Sequence, residues 1–199
     1  MTTSEKNTQA LYNAFYKEAV PCLDNLYITA LRLTRNPVDA DDLVQETMLK
    51  AFRYFDKYKQ DTNCRAWLFR IMTNVYINRY NKKRASREFL ASDDEGRSIE
   101  ERVEAPQAHP FDEQIDSEVG MYHKFFSDEV KRALEGIPEE YRVVVLLADM
   151  QDFAYKEIAD MVDCPIGTVM SRLYRGRKML QRRLQGYATR EGYVCEQLA

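Results

Sequence analysis

Apolar positions recur along most of this chain at intervals of three and four residues, the spacing that puts side chains on one face of an α-helix. Leu11, Phe15 and Ala19 begin one stripe, which Pro21 interrupts. Leu23, Leu26, Tyr27, Ala30, Leu31 and Thr34 carry a second helix that Asn36-Pro37 stops. Asp39 is placed to cap a third, with Asp41 and Asp42 near its positive end. Its stripe is Val44, Met48, Ala51, Phe52 and Phe55. A short polar connection, 57–64, leads to a fourth helix with Trp67, Leu68, Ile71, Met72, Val75 and Tyr76 inward.

Beyond residue 86 the pattern lapses. Residues 89–122 hold Pro106 and Pro110 with little periodicity, and read as a flexible acidic linker. Helical signals then resume with Val130, Ala133 and Leu134, and Pro138 opens a further helix that buries Val143, Val144, Leu146 and Leu147. Two helices follow. Tyr155, Ile158, Ala159 and Val162 give the first its inward stripe; Asp163-Cys164 makes a tight turn, Pro165 starts the second, and Val169, Leu173 and Leu180 anchor it. No strand run or internal repeat competes. The fold class predicted is all-α: two small helical domains, 8–88 and 123–190, joined by the linker.

Composition narrows the chemistry. No apolar run approaches the length needed to span a bilayer, and the first residues carry no signal-peptide pattern, so a cytoplasmic protein without membrane insertion is expected. Cys22, Cys64, Cys164 and Cys195 stand far apart, and His109 and His123 have no third ligand near them, so no metal site is predicted. The cysteines read as reduced thiols packed as small hydrophobes. No Gly-rich loop and no cluster of nucleophile and base argue against an enzyme or a nucleotide cofactor.

The net charge of −3 conceals a strong pattern. Residues 65–87 carry seven Lys or Arg and no acid, as do residues 165–190, while 88–119 carries eleven acids against two arginines. Two basic helical segments on either side of an acidic one suit nucleic acid. The last helix leaves Thr168, Met170, Ser171, Arg172, Tyr174, Arg175 and Arg177 outward, as a recognition helix in a major groove would. The fourth helix and the loop before it interleave positive charge with Tyr58, Trp67, Asn74 and Tyr80, a mixture suited to unpaired bases. Core packing accounts for Trp67 better than base contact does.

Here the sequence resembles a known family. Asp-Ala-Asp-Asp-Leu-Val-Gln-Glu-Thr-Met-Leu-Lys-Ala-Phe (39–52) is similar to region 2.2 of extracytoplasmic-function (ECF) sigma factors. Arg-Ala-Trp-Leu-Phe-Arg-Ile-Met-Thr-Asn-Val-Tyr-Ile-Asn-Arg-Tyr (65–80) resembles region 2.4, and Ile-Pro-Glu-Glu-Tyr-Arg (137–142) with the helix-turn-helix resembles region 4. The resemblance covers roughly 11–88 and 123–188.

It implies a sigma region 2 bundle and a region 4 helix-turn-helix that bind core RNA polymerase and promoter DNA. Asp41, Asp42, Leu43, Gln45 and Glu46 would hold the clamp of the largest polymerase subunit, and region 4 the flap of the second-largest. Tyr58, Lys59, Asn63, Arg65 and Asn74 would capture a base flipped from the −10 element. Thr168, Met170, Ser171, Arg172, Tyr174, Arg175 and Arg177 would read or clamp the −35 duplex, with Met170 standing where some relatives carry Arg. Residues 72–80 and 165–177 look closest to the oxidative and heat-stress branch, whose members are held inactive by a zinc-binding anti-sigma factor. The rival expectation is a stand-alone helix-turn-helix regulator that binds an operator without polymerase.

Overall fold

The computed structural model describes residues 3–59, 62–92 and 127–193, and every regular element among them is helical. Helix α1 (Thr3–Ala19) passes through a 3-10 turn, Val20–Cys22, into α2 (Leu23–Thr34). Pro21 lies in that turn, where its missing N–H breaks the α ladder. Arg35 ends α2 in the left-handed region, φ 61°, its N–H donating to the Leu31 carbonyl at 2.9 Å.

Helix α3 (Pro37–Arg53) is capped by Asn36 and not by Asp39. The Asn36 side-chain oxygen accepts from the N–H groups of Val38 (2.8 Å) and Asp39 (3.2 Å), while Pro37 fills the one position that has no N–H to satisfy. Asp39 falls in the first turn, where its charge still favours the helix dipole. Helix α4 (Cys64–Ser92) runs four residues past the boundary expected at 88. The linker expected at 89–122 lies, from residue 93 on, outside the described residues.

The second unit begins with α5 (Asp128–Glu135), capped by the Ser127 hydroxyl, which accepts from the Val130 N–H. Helix α6 (Glu139–Val145) follows Pro138 and widens into a π-turn, Leu146–Met150, in which the Gln151 N–H donates to the Leu146 carbonyl five residues back. Helices α7 (Tyr155–Val162) and α8 (Ile166–Arg190) make the helix-turn-helix. Asp163 turns the chain with φ 50°, and Pro165 opens α8, its carbonyl accepting from Thr168 at 2.8 Å.

Alanines 19, 30, 40 and 51 are wholly buried where the first helices cross, around Leu26, Leu43, Leu68, Phe69 and Met72. The second unit closes around Ile137, Val144, Leu146, Leu147, Ile158, Met161 and Val169. Tyr155, expected inward, is exposed and stands beside Met170 and Tyr174 of α8 along an open groove.

Helices α6 and α8 meet at Gly176, where an added Cβ would stand 2.7 Å from a Val145 methyl and 3.3 Å from the Tyr141 Cβ. An exposed mid-helix Gly→Ala gains about 1 kcal/mol. Gly186, in the same helix with nothing within 4 Å of such a Cβ, should show that gain as Gly186→Ala. Gly176→Ala should reverse the sign, losing about 1–3 kcal/mol to overpacking in thermal or urea unfolding.

Candidate nucleic-acid interface

On α8 the spacing of Val169, Leu173 and Gly176 turns those residues inward and leaves the opposite side to solvent. Met170, Ser171, Tyr174, Arg175 and Arg177 are exposed, while Thr168 and Arg172 are half-buried. The outward residues are not equally available. Arg172 faces Glu140 at 3.6 Å. Arg177 grips Asp149, its Nε donating to both carboxylate oxygens at 3.1 and 3.2 Å, which ties α8 to the π-turn. Arg175 has no ion pair among the described residues, and Lys178 and Arg182 stand three and seven positions on, along the same side of the helix. Lys178 lies over the Tyr174 ring at 6.0 Å. These two cations extend the basic ridge beyond the residues singled out by sequence, and their i+3, i+7 spacing from Arg175 was the available signal. Tyr155, Met170 and Tyr174 add the apolar wall of an open groove beside the ridge.

On α3 the structure separates residues that adjoin in sequence. Asp41, Asp42 and Gln45 are exposed; Leu43 is wholly buried and belongs to the core. Helical spacing groups Leu43 with Ala40 and Thr47, so it seats α3 on the core. Glu46 is half-buried between Lys50, at 2.8 Å, and Arg79 of α4. Lys50, with Arg79 behind it, holds that carboxyl below its usual range.

At the start of α4, Asn63 caps the helix by accepting from the Ala66 N–H at 3.1 Å. Lys59 and Asn74 are exposed, with Asn74 nine residues, about 14 Å, along the helix from Arg65. Tyr58 is buried: its ring stacks on Phe55 and packs against Trp67 at 5.0 Å, and its hydroxyl donates to the Thr62 carbonyl at 2.6 Å. A ring so enclosed shapes the loop and leaves no face for a base. Trp67 joins the same aromatic cluster, as core packing required.

Asn63 and Arg65 are held by the second unit. The Asn63 amide donates to Glu157 at 3.3 Å. Arg65 Nη2 donates to the Gln151 backbone carbonyl (2.7 Å) and side-chain oxygen (2.6 Å), and its guanidinium lies 4.4 Å over the Phe153 ring. Phe153 meets Phe69 edge to face at 5.0 Å, and the Gln151 amide donates to the Thr29 hydroxyl at 3.0 Å. The segment after the π-turn is thus plugged into the first unit beside the α4 N-terminus.

A second junction lies deeper. Arg142, 2% exposed, donates from Nη2 to the Leu33 carbonyl (3.1 Å), the Tyr76 hydroxyl (3.3 Å) and the Glu139 carboxylate. The Tyr76 hydroxyl also reaches Leu33 O at 2.9 Å and Glu139. Burial pushes the Glu139 carboxyl up to about 7, and the Arg142 guanidinium supplies the countercharge that a carboxylate needs there. Burial likewise raises the Tyr76 phenol, which stays protonated. Arg142 Nε and Nη1 are buried without a hydrogen-bond partner. Such donors cost about 1–3 kcal/mol each, so this junction is less favourable than its bond list suggests.

No group of three His, Cys, Asp or Glu among the described residues could hold a metal. Burial pushes the Cys64 thiol up to about 12, which leaves little reactive thiolate. No helix is long and apolar enough to cross a membrane among the described residues.

Comparison with known proteins follows the same two-unit division. Residues 21–86 match the family model for sigma-70 region 2, and residues 127–180 match sigma-70 region 4. The chain belongs to the sigma-70 family, and the relatives it matches are ECF sigma factors. ECF RNA polymerase sigma factor SigE of Mycolicibacterium smegmatis is 34% identical over 79% of this chain and 56% of its own length. The ECF RNA polymerase sigma-E factor of Haemophilus influenzae is 27% identical over 74% of this chain and 75% of that protein. Among solved structures, the sigma factor RpoE in complex with the anti-sigma factor NepR from Bartonella quintana superposes with a TM-score of 0.62 at 29% identity, covering 86% of this chain and 97% of that one. The helix-turn-helix of this sigma chain is therefore its region 4, and α2 to α4 form its region 2.

Tyr76→Phe removes the hydroxyl on which region 2 and region 4 converge. It is expected to lower the stability read by urea titration by about 1–3 kcal/mol. An unchanged midpoint would mean that the regions are not held through that hydroxyl.

Proposed function

We propose that this chain is an alternative sigma factor that binds core RNA polymerase, recognises −10 and −35 promoter elements and directs transcription initiation, with no catalysis of its own. The observation that carries the reading is the pairing, in one chain and in sigma order, of an exposed acidic helix face on region 2 with a basic recognition ridge on region 4. In this assignment region 2 spans 8–88, the acidic linker 89–122 and region 4 123–190.

Asp41, Asp42 and Gln45 serve polymerase docking directly, and Leu43 and Glu46 by fixing the helix. Lys59, Asn63, Arg65 and Asn74 serve the −10 strand. Thr168, Met170, Ser171, Arg172, Tyr174 and Arg175 serve the −35 duplex; Arg177, committed to Asp149, orients the helix. The setting is the cytoplasm, and the genes served are those of a stress response. An anti-sigma protein of the zinc-binding kind holds the chain inactive. What supports an anti-sigma partner is the likeness to a sigma factor solved in complex with one.

The arrangement of the two regions bears on activity. With Arg65 and Asn63 bonded to region 4, neither is free to meet a −10 base, so promoter reading requires the regions to part. Polar contacts and an underbonded buried guanidinium make that separation feasible.

The test is run-off transcription with sigma-free bacterial core polymerase on a promoter pool. Promoter-specific transcripts that depend on this protein are the expected result. Specific duplex binding without polymerase, together with no stimulation and no core binding, would replace the reading with a stand-alone regulator. A second arm uses Asn63→Cys with Glu157→Cys, the native cysteines changed to Ser, joined by a short bismaleimide. The joined protein should lose at least tenfold in transcription while its unjoined form stays active.

A further inference from the structure

Ile166, Met170 and Tyr174 succeed one another every fourth residue along the first half of α8, which sets them in one row. The row is apolar and open to solvent: Ile166 is 49%, Met170 53% and Tyr174 67% exposed. Tyr155 stands beside it along the groove, and Lys178, four residues further on, ends it with its ammonium over the Tyr174 ring at 6.0 Å. The buried side of α8 is a different set, Val169, Leu173 and Gly176. Gly167, next to Ile166, has nothing within 4 Å of where a Cβ would stand, so a ligand can come close to the helix backbone there.

The polar groups around the row are largely spent within the protein. The Ser171 hydroxyl donates to the Thr168 carbonyl at 3.0 Å, Arg172 faces Glu140, and Arg177 holds Asp149. The front of the helix is thus short of free donors and rich in apolar surface. Residues 165–190 contain no acid, so whatever covers the row must also accept Arg175 and Lys178 beside it. Duplex DNA meets both demands. Its phosphates take the cations, and its major groove presents one apolar group, the C5 methyl of thymine.

We propose that Ile166, Met170 and Tyr174 read thymine methyl groups in the −35 duplex, so that promoter choice by this chain rests on apolar contact as well as on hydrogen bonds. The inference rests on the sigma reading; it names the base that these residues select and adds Ile166 to them. From Ile166 to Tyr174 the row is about 12 Å long, which at about 3.4 Å per base step confines the methyls to about four consecutive base pairs.

Deoxyuridine provides the test, because it pairs as thymidine does and lacks only the methyl. In a promoter selected by the run-off assay, each −35 thymine on either strand is replaced in turn. The affinity of holoenzyme, formed from the full chain and core polymerase, is then measured by competition. A loss of about fourfold per methyl, as burial of one CH2-sized group implies, is expected within one stretch of about four base pairs. Thymines in the spacer should show none. Met170 is exposed, so Met170→Ala should keep native helicity and melting temperature. This variant should bind the unmodified promoter at least about fourfold more weakly and be indifferent to uracil at one of the sensitive positions, with its affinity for core polymerase in the absence of DNA unchanged. Uracil without effect at every −35 thymine, or an effect that Met170→Ala and Tyr174→Ala both leave intact, would overturn the methyl contact while the sigma reading stands. A −35 element with no thymine on either strand would do the same. Weakened core binding by Met170→Ala without DNA would make the row a protein contact and overturn the proposal. No promoter-specific transcription with the unaltered protein would overturn the sigma reading, and the methyl contact with it.

Discussion

A guanidinium buried between two helical units governs how this molecule is assembled. Arg142 cannot shed its charge, so once enclosed it must find acceptors, and it finds them on both sides: Glu139 in its own helix, Tyr76 and the Leu33 carbonyl across the junction. The α2 terminus can serve because Leu33 lies in the last turn, where carbonyls lack a partner within the helix. Around this point polar contacts between the regions run from Gln151 on Thr29 to Arg65 on Gln151, and Phe69 meets Phe153 edge to face beside them. These polar groups regain water on opening, which offsets part of the cost of separating them.

Helix α3 solves a different problem, that of an element with two faces to satisfy. Its inner face carries small and aliphatic residues so that α2 and α4 can approach, and its flank carries acids that α4 neutralises with Arg79 and Lys83. What remains outward is short of partners in both charge and apolar contact. Buried face and exposed face are set by the same helical period. The buried side fixes the helix itself, since Leu43 is wholly enclosed.

The helical architecture was legible from periodicity, because helices that bury one face cannot avoid repeating every three to four residues. The helix-turn-helix was legible for the same reason, helped by Pro165 and the Asp163 turn. Several local assignments were not. Asp39 was expected to cap α3 because an acid precedes the apolar stripe, yet Asn36 with Pro37 satisfies the free N–H groups earlier. The family resemblance puts Leu43 with Asp41 to Glu46 on the docking face, although helical spacing sends it inward. Tyr58 reads as a polar aromatic in a basic loop, and only the positions of Phe55 and Trp67 reveal that it is walled in. Arg142 gave no signal, since a charged residue in Glu-Glu-Tyr-Arg looks solvated until another unit covers it. Contacts across the junction join residues some 60 to 120 positions apart, and no local pattern encodes them.

The π-turn at Leu146–Met150 has a consequence for how this chain tolerates change in length. A π-turn holds one residue more than the α-turn it replaces, so everything after it is rotated by about a quarter of a turn relative to a continuous α-helix. That offset aims Gln151 and Phe153 at region 2 and leaves Asp149 facing Arg177. Loss of a single residue between 146 and 150 would let the helix close into a regular ladder. Every contact residue would then be present and its register wrong, so the two regions could be uncoupled without altering any side chain that joins them.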